Sequence, residues 1–200
     1  MGLVVDHVIV CVPDLVRSVR SFERRHGVSS VPGGRHDGHG TANRLIPLGD
    51  AYIELVAVVD PDEARESGFG SWVTSRTNTD GADAIALRTD ELDVVCRRLD
   101  LEPLAMSRRT AVGQVLRWRI AGMDHLVAKG LPFFIEWDVD PSLHPGRANA
   151  SHAAGDLVLG QVIVSGDEPR LRLWTEGVPG LAVEAGEPGV RFELVEKAGL

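Results

Sequence analysis

A chain of 200 residues with 44% hydrophobic and 25% charged side chains can bury one sizeable core or two small ones. Its formal net charge of -8 argues against a basic phosphate-binding face, and so against nucleic acid as the main partner. No apolar run is long enough to span a membrane, no signal-peptide pattern opens the chain, and two cysteines without CxxC spacing predict a reducing, cytoplasmic setting.

Residues 4–12 are rich in valine and isoleucine and stop at Pro13-Asp14, which predicts a strand. Alternation puts His7 on one face with Val5, Ile9 and Cys11, and Val4, Val8, Val10 and Val12 on the other. Asp14 is a good N-cap for a helix running to His26, with Gly27 as its stop. Residues 28–31 read as a short strand and 32–40 as turn chemistry throughout. Strands at 41–48 and 51–58 flank a tight turn at Gly49-Asp50.

A connector at 59–81 carries one helical patch around 69–75, and then the pattern returns. A strand at 83–87, a helix at 91–99, and strands at 102–106, 115–121 and 133–139 make a second β-α-β-β-β unit, with a loop through Gly122 and Gly130. After a linker at 141–154, a strand at 157–164, a helix at 168–176 and strands at 181–184 and 190–195 form a shorter third copy. The expected division is 1–60, 82–140 and 155–197, in one compact unit.

Glu54 shares a strand face with Tyr52 and Val56, and Glu136 sits in the similar run Phe133-Phe134-Ile135-Glu136-Trp137. The apolar faces (Val8, Val10; Ile53, Leu55; Ile85, Leu87; Ile135, Trp137) are expected against helices, leaving the other faces to form a cleft. Alternation then aims Arg44, Arg117 and Arg119 inward, where guanidinium groups bind carboxylates or enediolates. A ladder of Arg-Glu ion pairs is the other way to read these arginines. His36 and His39 are placed to cover the cleft mouth or shuttle protons. Arg108-Arg109 is expected as solvated surface, and His144 as a loop residue without a role.

Asp6-His7, Gly33-Gly34-Arg35-His36 through Gly40-Thr41-Ala42-Asn43, and Tyr52-Ile53-Glu54-Leu55 together resemble the vicinal oxygen chelate superfamily, in its glyoxalase-like branch. The resemblance implies an α+β fold of paired βαβββ modules (the glyoxalase/bleomycin resistance/dioxygenase fold), here with a third, partial βαββ module. It implies metal ligands on the first and last strand of each module, at His7, Glu54, Ala84 and Glu136. Ala84 cannot ligate, so His7, Glu54 and Glu136 would hold a divalent Mn, Fe, Ni, Zn or Mg. The implied function is a metal-dependent lyase, isomerase or dioxygenase acting on a small oxygenated or anionic metabolite, with Glu54 or Glu136 as proton-transfer base. The alternative is a metal-free protein of the bleomycin-resistance type that sequesters a small molecule. A pure interaction module, with a homodimer interface made by the last fifty residues, is a third expectation. Pairing of the first module with the third would instead assemble His7, Glu54, Gln161 and Glu193.

Overall fold

The structure, a computed structural model, describes residues 2–76, 81–109 and 115–197. In the first module β1 (Val4–Cys11), α1 (Leu15–His26), β2 (Val31–His36), β3 (Thr41–Pro47) and β4 (Tyr52–Val58) follow one another. Asp14 accepts a hydrogen bond from the Arg17 amide, and Gly27 at φ 64° ends α1 in the left-handed region. Helices α2 (Pro61–Arg65) and α3 (Gly68–Arg76) lead to the second module: β5 (Ala84–Arg88), α4 (Leu92–Leu99), β6 (Leu104–Arg109), β7 (Val115–Ala121), α5 (Met123–Lys129) and β8 (Phe133–Trp137). Two 3-10 turns, Pro141–Leu143 and Pro145–Arg147, precede β9 (Leu157–Gly166), α6 (Glu168–Thr175), β10 (Leu181–Ala185) and β11 (Gly189–Glu196).

The two modules share one eight-stranded sheet in the order β2-β3-β4-β1-β5-β8-β7-β6. Each module pairs its first and last strands in parallel, and β1 meets β5 antiparallel with Val8 opposite Ile85. The first module therefore joins the second, and Gln161 and Glu193 lie on the separate β10-β9-β11 sheet. That small sheet lays Val162, Val164 and Val190 on the core that also buries Val8, Ile53, Leu55, Ile85 and Leu87 against α1 and α4. This is the paired-module α+β fold with its partial third copy.

The opposite, concave face of the large sheet buries Ile9, Cys11, Val56, Ala84, Ala86, Phe133 and Ile135 under Trp72 and Val73 of α3 and Leu126 of α5. Three local expectations fail here for physical reasons. Pro32 to His36 form a strand because β2 is a sheet edge, where a proline costs no ladder bond. Gly122 (φ 88°) and Gly130 (φ 66°) mark the two ends of α5 instead of one loop. On β8, Phe134 faces the helix-side core while Ile135 and Trp137 join the concave cluster, the reverse of the expected phase. A strand buried on both faces carries no alternation from which to read its phase.

Candidate functional site

β1 is bulged where the polar residues sit. Val5 pairs with Leu87 and His7 with Ala86, so Asp6 is an extra residue on its strand. The bulge sends Val5 to the helix-side core and lets Asp6 and His7 turn toward each other, with Asp6 Oδ1 2.6 Å from His7 Nδ1. The Asp6 carboxylate is 0% exposed. Its Oδ2 accepts from Trp137 Nε1 at 3.1 Å and lies 2.9 Å from His144 Nε2 and 3.5 Å from an Arg88 nitrogen. Burial alone would raise this carboxyl, but the His144 and His7 hydrogen bonds outweigh it and hold the group well below the usual carboxylate range.

With Nδ1 committed to Asp6, His7 presents Nε2 to Glu54, whose Oε2 is 3.5 Å away. Tyr52 stacks on the imidazole at 4.4 Å between ring centroids, and Phe133 meets it edge-on at 5.7 Å. Both polar partners are buried, His7 at 3% exposure and Glu54 at 7%. Burial first, then the Asp6 and Glu54 carboxylates, push the Tyr52 phenol far up.

Asn43 organises the other side. Its Oδ1 accepts from the Gly34 amide at 2.7 Å, which fixes Nδ2 toward Glu54 Oε1 at 2.6 Å and His36 Nε2 at 3.2 Å. His36 Nδ1 in turn meets Thr41 Oγ1 at 2.9 Å, and burial pushes this imidazole below its ordinary value. Gly33 is the condition for this arrangement, because a Cβ there would lie 1.8 Å from Asn43 Oδ1. Gly33→Ala is expected to displace the Asn43 amide and cost about 1–3 kcal/mol. Urea unfolding of the variant checks this, and an unchanged midpoint would show that Asn43 is not locked.

Among the residues expected in the cleft, His7, Glu54 and His36 come together. His39 lies beside them at the start of α3, with Nδ1 2.6 Å from Ser67 Oγ and its ring edge-on to Phe69, which also contacts His36. Arg44 instead clasps Ser30, donating to its carbonyl at 2.8 Å, because Asn43 and not Arg44 shares the concave face with Val56. Arg119 and Glu136 form an ion pair on the helix side, with Arg119 Nε 2.7 Å from Glu136 Oε2 and a second contact to Asp93. Glu136 also accepts from the Leu92 amide at the start of α4. Arg117 is exposed on that same face. The ion-pair reading of the arginines is the correct one for Arg119.

Strand register explains the error. Ile9 lies opposite Glu54, and its repeat-equivalent Ala86 lies opposite Phe133. The counterpart of Glu54 is thus Phe133, and that of His7 is Ala84. A slip by an odd number of residues reverses the face. The His7, Glu54 and Glu136 metal set is therefore not assembled. His36 Nε2 also lies 3.6 Å from Glu54 Oε1, but the Asn43 amide bonds both of these atoms, so among the described residues His7 Nε2 and Glu54 Oε2 are the pair left facing each other. Among the described residues no cluster of three His, Cys, Asp or Glu side chains is arranged to hold a metal. This donor set does not fit a protein-held divalent metal.

Sequence reasoning overlooked Asp6, Asn43, Arg88, Trp137 and His144. Asn43 and Asp6 stood inside the motifs and were given no role. The other three reach Asp6 from 82 to 138 residues away, and no local pattern announces such contacts.

A family described as a glyoxalase-like domain matches residues 5–177. A hypothetical protein from Staphylococcus aureus shares 17% identity, covering 93% of this chain and 87% of its own, with a TM-score of 0.69. Methylmalonyl-CoA epimerase from Mycobacterium tuberculosis is 24% identical over 70% of this chain and 89% of its own, with a TM-score of 0.48. A methylmalonyl-CoA epimerase in complex with methylmalonyl-CoA and NH4+ is 18% identical over 70% of this chain and 97% of its own, with a TM-score of 0.50. No curated protein sequence matches the chain. At these identities the likeness to solved structures is one of fold.

Proposed function

The chain belongs to the glyoxalase-like domain family of the vicinal oxygen chelate superfamily, and on that premise we propose that it is an enzyme moving a proton on a small oxygenated metabolite. The observation that carries this is the buried Asp6–His7 pair aimed at Glu54, with His7 Nε2 and Glu54 Oε2 3.5 Å apart. Two acceptors that face each other across such a gap are satisfied by a proton passed between them or by a reacting group placed beside both. Asp6 fixes the imidazole orientation and tautomer, as an anchoring carboxylate does in other His-based sites. His7 takes the proton from carbon next to a carbonyl, and Glu54, steadied by Asn43, is positioned to return it. Tyr52 covers one face of the ring and keeps water from it. This is isomerase or lyase chemistry.

A second reading, small-molecule binding without turnover, draws on Trp72. Its Nε1 is buried in the concave lining with no hydrogen-bond partner among the described residues, a donor that a bound acceptor would satisfy. Two buried free cysteines, Cys11 and Cys96, support a reducing compartment. No helix among the described residues is long and apolar enough to cross a membrane.

Deuterium uptake from solvent into a panel of small 2-oxo and 2-hydroxy acids and their thioesters, followed by NMR, tests the enzyme reading. Exchange in at least one compound is expected, together with less than stoichiometric divalent metal by elemental analysis. Saturable quenching of tryptophan fluorescence without any exchange would favour the binding protein. Stoichiometric metal that disappears in His7→Asn would overturn the two-donor argument.

A further inference from the structure

Resting on the proton-transfer reading, we propose that Arg108 is the anion receptor of this site and that the substrate is a small carboxylate gripped across the seam of the curled sheet. β2 and β6 are the two edges of the eight-stranded sheet, and the Arg108 side chain reaches from one toward the other. A Cβ at Gly34 on β2 would lie 3.5 Å from Arg108 Nη1 and 3.7 Å from Arg108 Cδ on β6. Facing follows from the register: Met106 lies opposite Trp118, and Arg108 opposite Leu116. Trp118 packs in the concave cluster, so Arg108, two residues on from Met106, points to the concave side as well. Its charge is felt at both His36 and Tyr52, the residues flanking Glu54 and His7.

Arg108 is half-buried, and among the described residues it has no carboxylate within ion-pair distance. The arginines expected to serve the cleft are engaged or turned away: Arg119 with Glu136 and Asp93, Arg44 with Ser30, Arg117 outward. A guanidinium on the concave face with no carboxylate partner among the described residues, in a chain of net charge -8, is a place for an anion. One planar fork with two parallel donors suits one carboxylate. The adjacent Gly34 amide is already spent on Asn43, so no cradle of backbone N–H groups is available for a phosphate. Phe133, Trp72 and Leu126 are packed in the same concave cluster, so a ligand beside them has to be small. Gly33 clears space for the Asn43 amide, whereas a Cβ at Gly34 would only touch the Arg108 guanidinium at ordinary contact distance, so a branched side chain is needed there to crowd it.

Oxamate, a small planar monocarboxylate, is the probe, titrated by calorimetry into the wild type, Arg108→Ala, Arg108→Lys, Gly34→Val and His7→Asn. Circular dichroism confirms that each variant is folded. Binding is expected in the wild type and in His7→Asn, and about ten- to a hundredfold weaker in Arg108→Ala and Gly34→Val. Arg108→Lys should fall between, because it keeps the charge and loses the fork. Equal affinity in wild type and Arg108→Ala, or no oxamate binding by the wild type, would overturn the proposal. Inorganic phosphate competing as strongly as oxamate would overturn the carboxylate class. If oxamate binding depends on Arg108 while no compound exchanges deuterium, the proton-transfer reading fails and the anion receptor stands.

Discussion

Asp6→Ala is expected to cost about 3–5 kcal/mol of folding free energy, the range for removing one partner of a buried charged cluster. The carboxylate is fully buried, and donors converge on it from β1, β5, β8 and the turn after β8. Removing it leaves Trp137 Nε1, His144 Nε2 and one face of Arg88 without their acceptor in a site that admits little water. Asp6→Asn keeps one acceptor oxygen and should cost less. The pH dependence has a definite sign. The folded-state value of Asp6 is depressed, so its stabilisation is fully present above the unfolded Asp value of about 3.9. It is lost as pH falls through the carboxylate range toward the folded value. Wild-type stability from urea unfolding should therefore drop between about pH 5 and pH 3, and more steeply than that of Asp6→Ala. A variant with the wild-type slope and a loss under about 1 kcal/mol would mean that the cluster around Asp6 is not the keystone described.

Much of the architecture could be read from the chain because local signals agreed with tertiary demands. Asp14 and Gly27 bracket α1 as capping chemistry predicts. The valine-rich β1 buries Val8 and Val10 toward the helices as alternation requires. What could not be read lies where local pattern and tertiary placement part company. The bulge at Asp6 breaks alternation within one strand and turns a neighbouring residue into the partner of His7. On β8, Phe133, Phe134 and Ile135 are all buried, so Glu136 looked like the echo of Glu54 although it stands three positions beyond the true counterpart. Arg108 looked like solvent-facing charge because nothing in the sequence says that its side chain reaches Gly34 on the opposite edge of the sheet. Half of the site, His7, Glu54 and His36, was visible. Its anchors were not, since a hydrogen bond between β1 and a turn 138 residues later leaves no periodic trace.

His7→Asn should lower the deuterium exchange rate by about 10²–10⁴-fold while leaving the fold intact, the usual contribution of a positioned acid–base group. Asparagine can still offer an N–H where Nδ1 stands, so the Asp6 cluster keeps its donor and only the reactive Nε2 is removed. Glu54→Gln is the matching change: the amide oxygen can accept from Asn43 as Oε1 does, but the group can no longer carry a proton. If His7 and Glu54 act in sequence on one proton, either substitution removes the route. The double variant should then be little slower than the slower single one, because residues acting as a unit are not additive. Independent roles predict that the two losses multiply. Exchange rates under saturating substrate, measured beside the unfolding midpoint of each variant, separate these outcomes. A His7→Asn protein that folds normally and exchanges within threefold of the wild type would remove His7 from the chemistry. The buried Asp6–His7 pair would then be a structural device, and Trp72 with its unfilled donor would point the concave face toward binding without turnover.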